Sequence, residues 1–266
     1  MNKSLSQNRR QFLKTSSLAA SVVVLPLSES VAKYDREAPK KGYCGTNPLG
    51  LKLIKPHWCY NWWTKGKVPQ DLNIEYVPML KGKMNMNPKS FSAVRTNKNA
   101  KHLLGYNEPE RKKQGDMGVE QGLKHWPSIM ELAEQKELRL GSPAVSGDLG
   151  GLQWLEKFMS GVKKQKLKVD FLTLHWYGGT DVDVFEDWLD KMYKKYRLPI
   201  WVTEFNGWSG TQKEMTDFAI DSFNMLQKHR RVERYAYFSK KKGTAGSIWT
   251  SDNKLTEIGQ ALAEMP

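Results

Sequence analysis

Two glutamates stand at the ends of short apolar segments. In Leu103–Glu110 the apolar run leads to Glu108, and Pro109 then stops the strand because proline has no N–H to donate. Glu204 closes a second apolar run. Carboxylates at strand ends lie at the rim of a parallel sheet or barrel, where such folds place their chemistry. A proton-donating carboxyl group and a second one that meets positive charge on an anomeric carbon are what glycosidic bond cleavage needs.

Each glutamate taken alone has a simpler interpretation. Glu108 could be a helix-start carboxylate beside Pro109, stabilised by the helix dipole. Glu204 could pair with one of the many lysines or arginines, although burying a carboxylate without a function is costly. Because both stand at strand ends, we favour the interpretation that they act together. Close like charges raise the pKa of one partner, so we expect the pKa of Glu108 to be raised and Glu108 to be protonated near neutral pH.

The other strand ends are rich in aromatic and amide side chains. Aromatic rings bind the apolar faces of sugars, while asparagine and tyrosine bond to hydroxyl groups. Two of these residues have alternatives: His175 could be a satisfied core histidine, and Trp176 could pack between a strand and a helix. No Ser-His pair or cluster of metal ligands dominates these positions, so we expect neither a metal nor an organic cofactor. The candidate binding residues are Asn107, Trp58, Trp62, His175, Trp176, Tyr177, Trp208 and Asn61.

The elements that position these residues alternate along the chain, as short apolar runs and amphipathic segments. This alternation predicts an α/β protein, a single compact (β/α)8 TIM barrel with some short or irregular crossovers. The helical segments are 119–136, 152–162, 184–196 and 212–230. The predicted strand runs are 51–60, 74–80, 102–106, 138–145, 169–177, 199–205 and 234–238, with 246–250 as the eighth candidate.

The formal net charge of the 266-residue chain is +14, which could attract nucleic acid, anionic lipid or acidic polysaccharide. The lysines are scattered in short pairs, however, and no zinc-finger spacing, RNP-type motif or phosphate-binding glycine loop is present. We therefore expect a solvated basic surface and no nucleic-acid partner.

The N-terminus predicts export. Residues 8–14, Asn-Arg-Arg-Gln-Phe-Leu-Lys, resemble the twin-arginine motif, and a short apolar stretch and Ser30-Val31-Ala32 follow, so residues 1–32 are predicted to be a signal peptide. No segment is long enough for a permanent membrane span. Residues 33–50 are predicted to be an irregular leader and residues 51–266 the catalytic domain. In an oxidising compartment Cys44 and Cys59 could form a disulfide, or Cys59 could equally be a buried thiol.

Several motifs together resemble glycoside hydrolase family 128, over about residues 58–259. The resemblance implies a (β/α)8 fold and a retaining endo-β-1,3-glucanase that hydrolyses laminarin- or curdlan-like β-1,3-glucan, without a cofactor and as a monomer. The motifs are Leu104-Gly105-Tyr106-Asn107-Glu108-Pro109-Glu110, Ser142-Pro143-Ala144, Leu174-His175-Trp176-Tyr177-Gly178, Trp201-Val202-Thr203-Glu204-Phe205, Trp58-Cys59-Tyr60-Asn61-Trp62 and Tyr76-Val77-Pro78-Met79-Leu80.

The same resemblance implies residue roles. Glu108 would be the acid/base and Glu204 the nucleophile, while Asn107 would hold the 2-hydroxyl group of the sugar before the cut. His175 and Tyr177 would keep the nucleophile ionised and oriented. Trp58, Trp62, Trp176 and Trp208 would be sugar platforms. Alternatives are a β-1,4- or mixed-linkage glycanase that uses the same carboxylates, or an exported protein that binds glucan without cutting it.

Overall fold

The structure is a computed structural model that describes residues 39–266; the proposed signal peptide, residues 1–32, lies outside them. Strands and helices alternate as the sequence predicts. The strands are β1 (Lys41–Cys44), β2 (Trp58–Tyr60), β3 (Glu75–Tyr76), β4 (His102–Leu103), β5 (Arg139–Leu140), β6 (Leu172–Trp176), β7 (Ile200–Phe205) and β8 (Val232–Tyr237). The helices are α1 (Pro48–Ile54), α2 (Pro88–Arg95), α3 (Val119–Gln135), α4 (Leu149–Gln165), α5 (Val182–Tyr196), α6 (Gln212–Lys228) and α7 (Glu257–Glu264).

All strand pairs in the two sheets are parallel. One sheet has the order β3-β2-β1-β8-β7-β6, and the other joins β4 to β5. Isolated parallel bridges, not continuous ladders, connect the two sheets, Met79 to Leu104 on one side and Gly141 to Phe171 on the other. The eight strands thus follow one another in the circular order of a (β/α)8 barrel. Some crossovers are short or irregular, as predicted: β2–β3 has no helix, and α1 and α2 have 7 and 8 residues.

Local sequence signals begin most of the helices. Asn47 caps α1 and Asn87 caps α2, and each is followed by a proline at the first helical position. Thr211 and Glu214 form a reciprocal capping box at the start of α6. Within residues 39–266, no helix combines the length and the apolar character that crossing a membrane requires.

The buried side chains form two groups. The outer group lies where the helices pack on the strands and contains Leu103, Trp126 and Phe205, among others. The inner group fills the barrel itself, and such layers of inward side chains make the interior a packed core and not a pore. Its buried members are Trp58, Tyr60, Val77, Met79, Leu104, Phe171, Trp201 and Ala236.

Three assignments predicted from the sequence differ from the structure. The segment 33–50 was expected to be irregular, but Lys41–Cys44 forms β1, which lies between β2 and β8, and α1 begins at Pro48. The segment 246–250, expected to supply the eighth strand, contributes only an isolated antiparallel bridge from Trp249. The predicted first run, 51–60, contains most of α1 as well as β2.

Buried lysines explain why β1 does not look like a strand. Lys40 and Lys41 are each 2% exposed, and their ammonium groups reach the C-terminal ends of two helices. Lys40 donates to the carbonyl oxygens of Leu226 and His229 after α6, and Lys41 donates to that of Ala263 in α7. Cationic side chains stabilise helix C-termini because the last carbonyl groups lack partners within the helix. The two lysines, which made this segment look like a polar leader in the sequence, are therefore part of the packed barrel.

The two cysteines are both free thiols. Cys59 belongs to the outer group of buried residues, whereas Cys44 packs against the inner group. The register aligns Tyr43 with Cys59 and Cys44 with Tyr60. Because successive residues of a strand point to opposite faces, the two thiols lie on opposite sides of the sheet, and no disulfide joins them.

A buried ion network lies among Glu75, His102 and Arg234. Glu75 accepts from Nδ1 of His102 at 2.9 Å, and Arg234 lies 2.8 Å from its other oxygen. Burial opposes ionisation of Glu75, but the hydrogen bond from His102 and the charge of Arg234 outweigh it and lower the pKa of Glu75 to about 2. The guanidinium group of Arg234 also lies 4.4 Å from the ring centre of Trp201.

We expect Glu75→Gln to lower the free energy of unfolding by about 3 kcal/mol, because it leaves the buried charge of Arg234 unpaired. In the unmodified protein the stabilisation is complete above the ordinary glutamate pKa of about 4.5 and is lost as the pH falls toward 2. Urea unfolding at pH 7 and at pH 3 measures both effects. A variant as stable as the parent at pH 7 would contradict the interpretation.

Candidate active site

Glu108 lies just beyond β4, in a tight loop at the barrel mouth. Its backbone N–H donates to the carbonyl oxygen of Ala144 at 2.6 Å, and Asn107 forms a bridge to the same residue. Its φ of 39° is left-handed, a strained conformation for a residue other than glycine. The loop folds back at Gly115, where an added Cβ would lie 2.7 Å from the carbonyl oxygen of Asn107. Neighbouring backbone thus holds Glu108 in an uncommon conformation.

Glu204 lies near the end of β7, where the strand is irregular. The register pairs Leu174 with Val202 but His175 with Glu204, so Thr203 is an extra residue in the ladder. Such bulges turn side chains toward active sites. Glu204 is 5% exposed, and it lies at the same mouth of the barrel as Glu108.

His175 joins the two carboxylates. Its Nδ1 lies 3.2 Å from Oε1 of Glu108, and its Nε2 lies 3.4 Å from Oε1 of Glu204. Each of the three residues offers an atom within 4.8 Å of the others, and His175 is fully buried. Retaining glycosidases hold their two carboxyl groups about 5–5.5 Å apart, whereas inverting enzymes need roughly 6.5–9.5 Å. The close approach fits direct attack by a carboxylate.

Three aromatic side chains donate hydrogen bonds to Glu204 or lie close to it. Nε1 of Trp62 is 2.7 Å from Oε1, the hydroxyl group of Tyr177 donates to Oε2, and the hydroxyl group of Tyr60 is 3.4 Å from Oε1. Donors on both oxygens stabilise the ionised carboxylate and fix its plane. The predicted position of Tyr177 and His175 beside Glu204 agrees with the structure.

The proton distribution differs from the sequence-based expectation. Two close carboxylates were expected to raise the pKa of Glu108, but the pKa of Glu108 is lowered. Burial favours its neutral form, yet the hydrogen bond and charge of His175 and the charge of Arg111 outweigh burial. Burial likewise lowers the pKa of His175, but Glu204 and Glu108 outweigh it, so the pKa of His175 is raised. The directions of these two pKa shifts favour the shared proton on the imidazole of His175 over Glu108.

The two glutamates open into a cleft of about 1130 Å³. Its lining contains an aromatic group and a basic group of residues. We call the rings that connect to Glu204 the aromatic half; its residues are Trp62, Tyr177, Trp208 and Phe238. We call the side around Glu108 the basic half; its residues are Lys81, Arg111, Lys112 and Lys113.

Two predicted sugar platforms are not available to a ligand. Trp58 is fully buried inside the barrel, where its ring lies 5.1 Å from that of Trp201 and its Nε1 donates to the carbonyl oxygen of Lys40. Trp176 is 6% exposed and stacks on Phe185 of α5 at 4.9 Å. Both tryptophans are packing residues, so their prediction as platforms is wrong.

The other predicted binding residues lie at the cleft or next to its carboxylates. Trp208 is 57% exposed and lines the aromatic half, as does Trp62. Asn61 lines the cleft too, and its Oδ1 accepts from the hydroxyl group of Tyr76 at 2.6 Å. Asn107 precedes Glu108, and its buried Oδ1 has no hydrogen-bond partner within the described part of the chain. That unpaired acceptor suits a sugar hydroxyl group, so the predicted role of Asn107 stands as a prediction.

Sequence reasoning missed several residues at the cleft or beside its carboxylates. Phe238 lines the cleft, and the hydroxyl group of Tyr60 lies 3.4 Å from Oε1 of Glu204. Both residues stand at the ends of predicted strand runs, so their position was a usable signal. Arg111 gave no such signal, because it lies in a loop three residues after Glu108. Its Nε lies 3.4 Å from Oε2 of Glu108, and its Nη2 lies 2.7 Å from Asp148.

The trio Glu108, His175 and Glu204 has a spacing that could also hold a cation. Indole and phenol donors already occupy the oxygens of Glu204, and a cation would compete with them. The donor set therefore suits proton transfer and carboxylate attack better than metal binding. That catalysis needs no metal is a prediction, which activity after EDTA treatment tests.

Comparison with known proteins finds relatives that are glycoside hydrolases. The family model for the glycosyl hydrolase catalytic core matches residues 50–262. A subgroup I family 128 endo-β-1,3-glucanase from Amycolatopsis mediterranei shares 28% identity, with a TM-score of 0.73 over 85% of this chain and 100% of its own. A subgroup III curdlan-specific exo-β-1,3-glucanase from Blastomyces gilchristii shares 30% identity, with a TM-score of 0.71 over 85% and 97%.

A subgroup II endo-β-1,3-glucanase from Sorangium cellulosum shares 25% identity, with a TM-score of 0.72 over 85% of this chain and 98% of its own. Comparison with curated protein sequences gives no match. The family model spans most of the chain, and the 30% identical relative covers 85% of it. The chain therefore belongs to the glycosyl hydrolase catalytic core family and to glycoside hydrolase family 128.

Proposed function

We propose that this glycoside hydrolase is a retaining endo-β-1,3-glucanase that acts on laminarin- or curdlan-like glucan. One observation carries the retaining mechanism: Glu108 and Glu204 approach within 4.8 Å at the mouth of the barrel, with His175 between them. The related structures named above are β-1,3-glucanases, which supports the linkage.

In the first step Glu204 attacks the anomeric carbon while Glu108 protonates the departing oxygen. The C–O bond to the leaving sugar breaks, and an ester between the sugar and Glu204 forms. In the second step Glu108, now a carboxylate, takes a proton from water as that water attacks the ester. The hydrogen bonds from Trp62 and Tyr177 hold the carboxylate of Glu204 in position until it attacks.

His175 supplies the proton that Glu108 donates in the first step. In the free site it rests on His175, whose Nδ1 faces Glu108 at 3.2 Å. Transfer along this hydrogen bond gives neutral His175 and protonated Glu108 without changing the net charge of the cluster. A sugar that covers the cleft excludes water and thereby favours the neutral pair over the ion pair.

This arrangement predicts the alkaline limb of the pH profile. In the active form, Glu108, His175 and Glu204 share one proton. This proton is lost as the pH rises through the pKa of His175, which is raised above the ordinary histidine value of about 6.5. We therefore expect kcat/KM on laminarin to fall only above that pH. In His175→Asn the limb should move to lower pH and kcat should fall. A pH profile of each protein, with circular dichroism to confirm folding, measures this. An unmoved limb in the variant would contradict the proton source.

Endo cleavage is supported by the cleft of about 1130 Å³, whose lining includes residues next to Glu108 and residues next to Glu204. A glucan chain can therefore extend past the reacting bond in both directions. Product analysis on laminarihexaose separates the modes, because an endo enzyme yields several internal fragments from the start. Proton NMR of the first product tests the stereochemistry, and a β-anomer supports retention.

Two alternative functions would use the same cleft. A β-1,4- or mixed-linkage glycanase would use the same carboxylates, and it would release reducing ends from cellulose or barley glucan faster than from laminarin. A binding protein would hold laminarin and release no reducing ends. The paired carboxylates within 4.8 Å favour an enzyme over a binding protein.

We also propose that the protein is exported by the twin-arginine route and acts as a monomer in the periplasm or outside the cell. The motif in residues 8–14 and the small-residue site before Lys33 support export. Mass spectrometry of the secreted protein should find an N-terminus near residue 33. Size-exclusion chromatography with light scattering should give a monomer mass.

A further inference from the structure

The basic half of the cleft has no role in the reaction described so far. Lys81 follows the β3 segment, and its carbonyl oxygen accepts from the N–H of Asn107 at 2.8 Å. Lys112 and Lys113 follow Arg111 in the loop after Glu108, and both are exposed. All four cations line the same cleft as the two glutamates.

Three of these four cations form no ion pair in the part of the chain that the structure describes. Within residues 39–266, the ammonium groups of Lys81, Lys112 and Lys113 lie in no salt bridge or hydrogen bond, whereas Arg111 pairs with Asp148 and approaches Glu108 and Glu110. Unpaired cations on a concave wall that also contains the reacting groups create a positive field where a ligand must lie.

The position of this field follows from the mechanism. The acid protonates the leaving oxygen, so the leaving part of the glucan extends past Glu108, while the attacked sugar lies over Glu204. Trp62 and Tyr177 of the aromatic half donate to Glu204, and the ring of Tyr177 lies 5.3 Å from that of Trp208 and 5.9 Å from that of Phe238. The basic half therefore faces the leaving-group side.

A neutral glucan gains little from this wall. Its hydroxyl groups bind lysine no better than water does, and a cation beside Glu108 favours the carboxylate form over the acid form that the first step needs. A negative group on the leaving portion would pair with the lysines and offset that field. The cations are thus useful for an anionic ligand and unfavourable for a neutral one.

We propose that the leaving-group side of this cleft recognises β-1,3-glucan that carries a negatively charged group, a carboxylate or a sulfate, next to the bond that is cut. This inference rests on the proposed glucanase function and specifies its substrate class. The bound anion contributes twice: it holds the leaving portion through Lys81, Lys112 and Lys113, and it weakens the positive field at Glu108. Its benefit is greatest at low ionic strength.

The test compares two forms of the same oligosaccharide. Laminari-oligosaccharides of four to six units are oxidised at the reducing end to the aldonate or reduced to the alditol, so the two differ only in a carboxylate against a hydroxymethyl group. The reducing end enters the leaving-group side by construction. We expect kcat/KM for the aldonate to exceed that for the alditol by at least about threefold at 0.01 M salt. The preference should vanish near 1 M salt, as the screening length falls from about 30 Å to about 3 Å.

A charge variant with a matched control locates the effect. Lys112→Gln/Lys113→Gln should reduce the aldonate-to-alditol ratio to near one. The control Lys163→Gln/Lys164→Gln removes the same charge from exposed positions in α4, and it should leave the ratio as in the parent. A laminarin sulfated at low density distinguishes a sulfate from a carboxylate. If kcat/KM increases in a salt-sensitive way for both the aldonate and the sulfated laminarin, the site recognises either anion. If kcat/KM increases for the aldonate alone, the site recognises a carboxylate.

The outcomes separate this inference from the proposed function. If the protein cleaves neither laminarin nor the alditol, the glucanase proposal fails. If it cleaves the alditol but the aldonate ratio is one or less, and neither salt nor the Lys112/Lys113 variant changes it, anion recognition is overturned and the glucanase proposal stands.

Discussion

Replacing Glu204 with glutamine is expected to reduce turnover of laminarin by about 10⁴-fold or more, because the amide cannot form the ester on which the reaction depends. The fold should persist, since glutamine keeps the size of the side chain: its amide oxygen can still accept from Trp62, and its NH2 group can donate to the hydroxyl oxygen of Tyr177. Reducing-end release measures the activity, and circular dichroism and thermal unfolding measure the fold.

Two controls make this result specific. Glu156→Gln removes a carboxylate from an exposed position in α4, and it should keep the parent's activity. Azide added to Glu204→Ala should restore cleavage of an activated substrate and give an α-linked azide, because the small anion attacks from the side that the carboxylate has vacated. A Glu204→Gln protein with near-parental turnover would eliminate Glu204 as the nucleophile.

Replacing Glu108 with glutamine should produce the second largest loss, about 10²–10⁴-fold in kcat on laminarin. The reason differs: the sugar oxygen is a poor leaving group unless it receives a proton. A substrate with a good leaving group, such as a laminaribiosyl dinitrophenolate, does not need that proton. Ester formation from it should be nearly normal in Glu108→Gln, and hydrolysis of the ester should become slow.

A rapid-mixing experiment separates these two steps. We expect Glu108→Gln to give a burst of dinitrophenolate equal to the enzyme concentration, followed by a slow steady state. Azide added to Glu108→Ala should speed the steady state and yield a β-linked azide, the opposite anomer from the Glu204 variant. An equal loss on natural and activated substrates, without a burst, would mean that Glu108 does not act as acid and base.

The barrel and the carboxylate pair could be predicted from sequence because both depend on short-range patterns. Apolar runs that end in polar residues mark the strands, and parallel strands gather their ends at one mouth. Glu108 and Glu204 needed only that rule. β1 could not be predicted in this way, because Lys40 and Lys41 satisfy helix ends that are more than 180 residues away in sequence.

The orientation of single side chains depends on finer detail. β2 has three residues, and a shift of one residue would exchange the inward Trp58 with its outward neighbour. The sequence alone does not determine that register. Trp58 was therefore predicted to be a sugar platform, although its side chain packs inside the barrel. The extra residue Thr203 in β7 is equally invisible in the sequence, although it accompanies the turn of Glu204 toward the mouth.

The charge distribution also needed the structure. Two neighbouring carboxylates suggest a raised pKa on one of them, but that reasoning assumes nothing lies between. The imidazole of His175 is fully buried between Glu108 and Glu204, and its hydrogen bond and charge lower the pKa of Glu108. An imidazole placed between the two groups reverses the expected direction for Glu108.

The most direct test of the central claim is to trap the covalent intermediate. A laminaribiosyl fluoride with fluorine in place of the 2-hydroxyl group slows both steps, and its fluoride leaving group keeps the first step the faster one, so the ester should accumulate. Intact mass should increase by one 2-fluoro-laminaribiosyl unit, and peptide mapping should place that unit on Glu204. A label on another residue, or turnover of laminarin with an α-anomer as first product and no label at all, would contradict the two-carboxylate retaining mechanism.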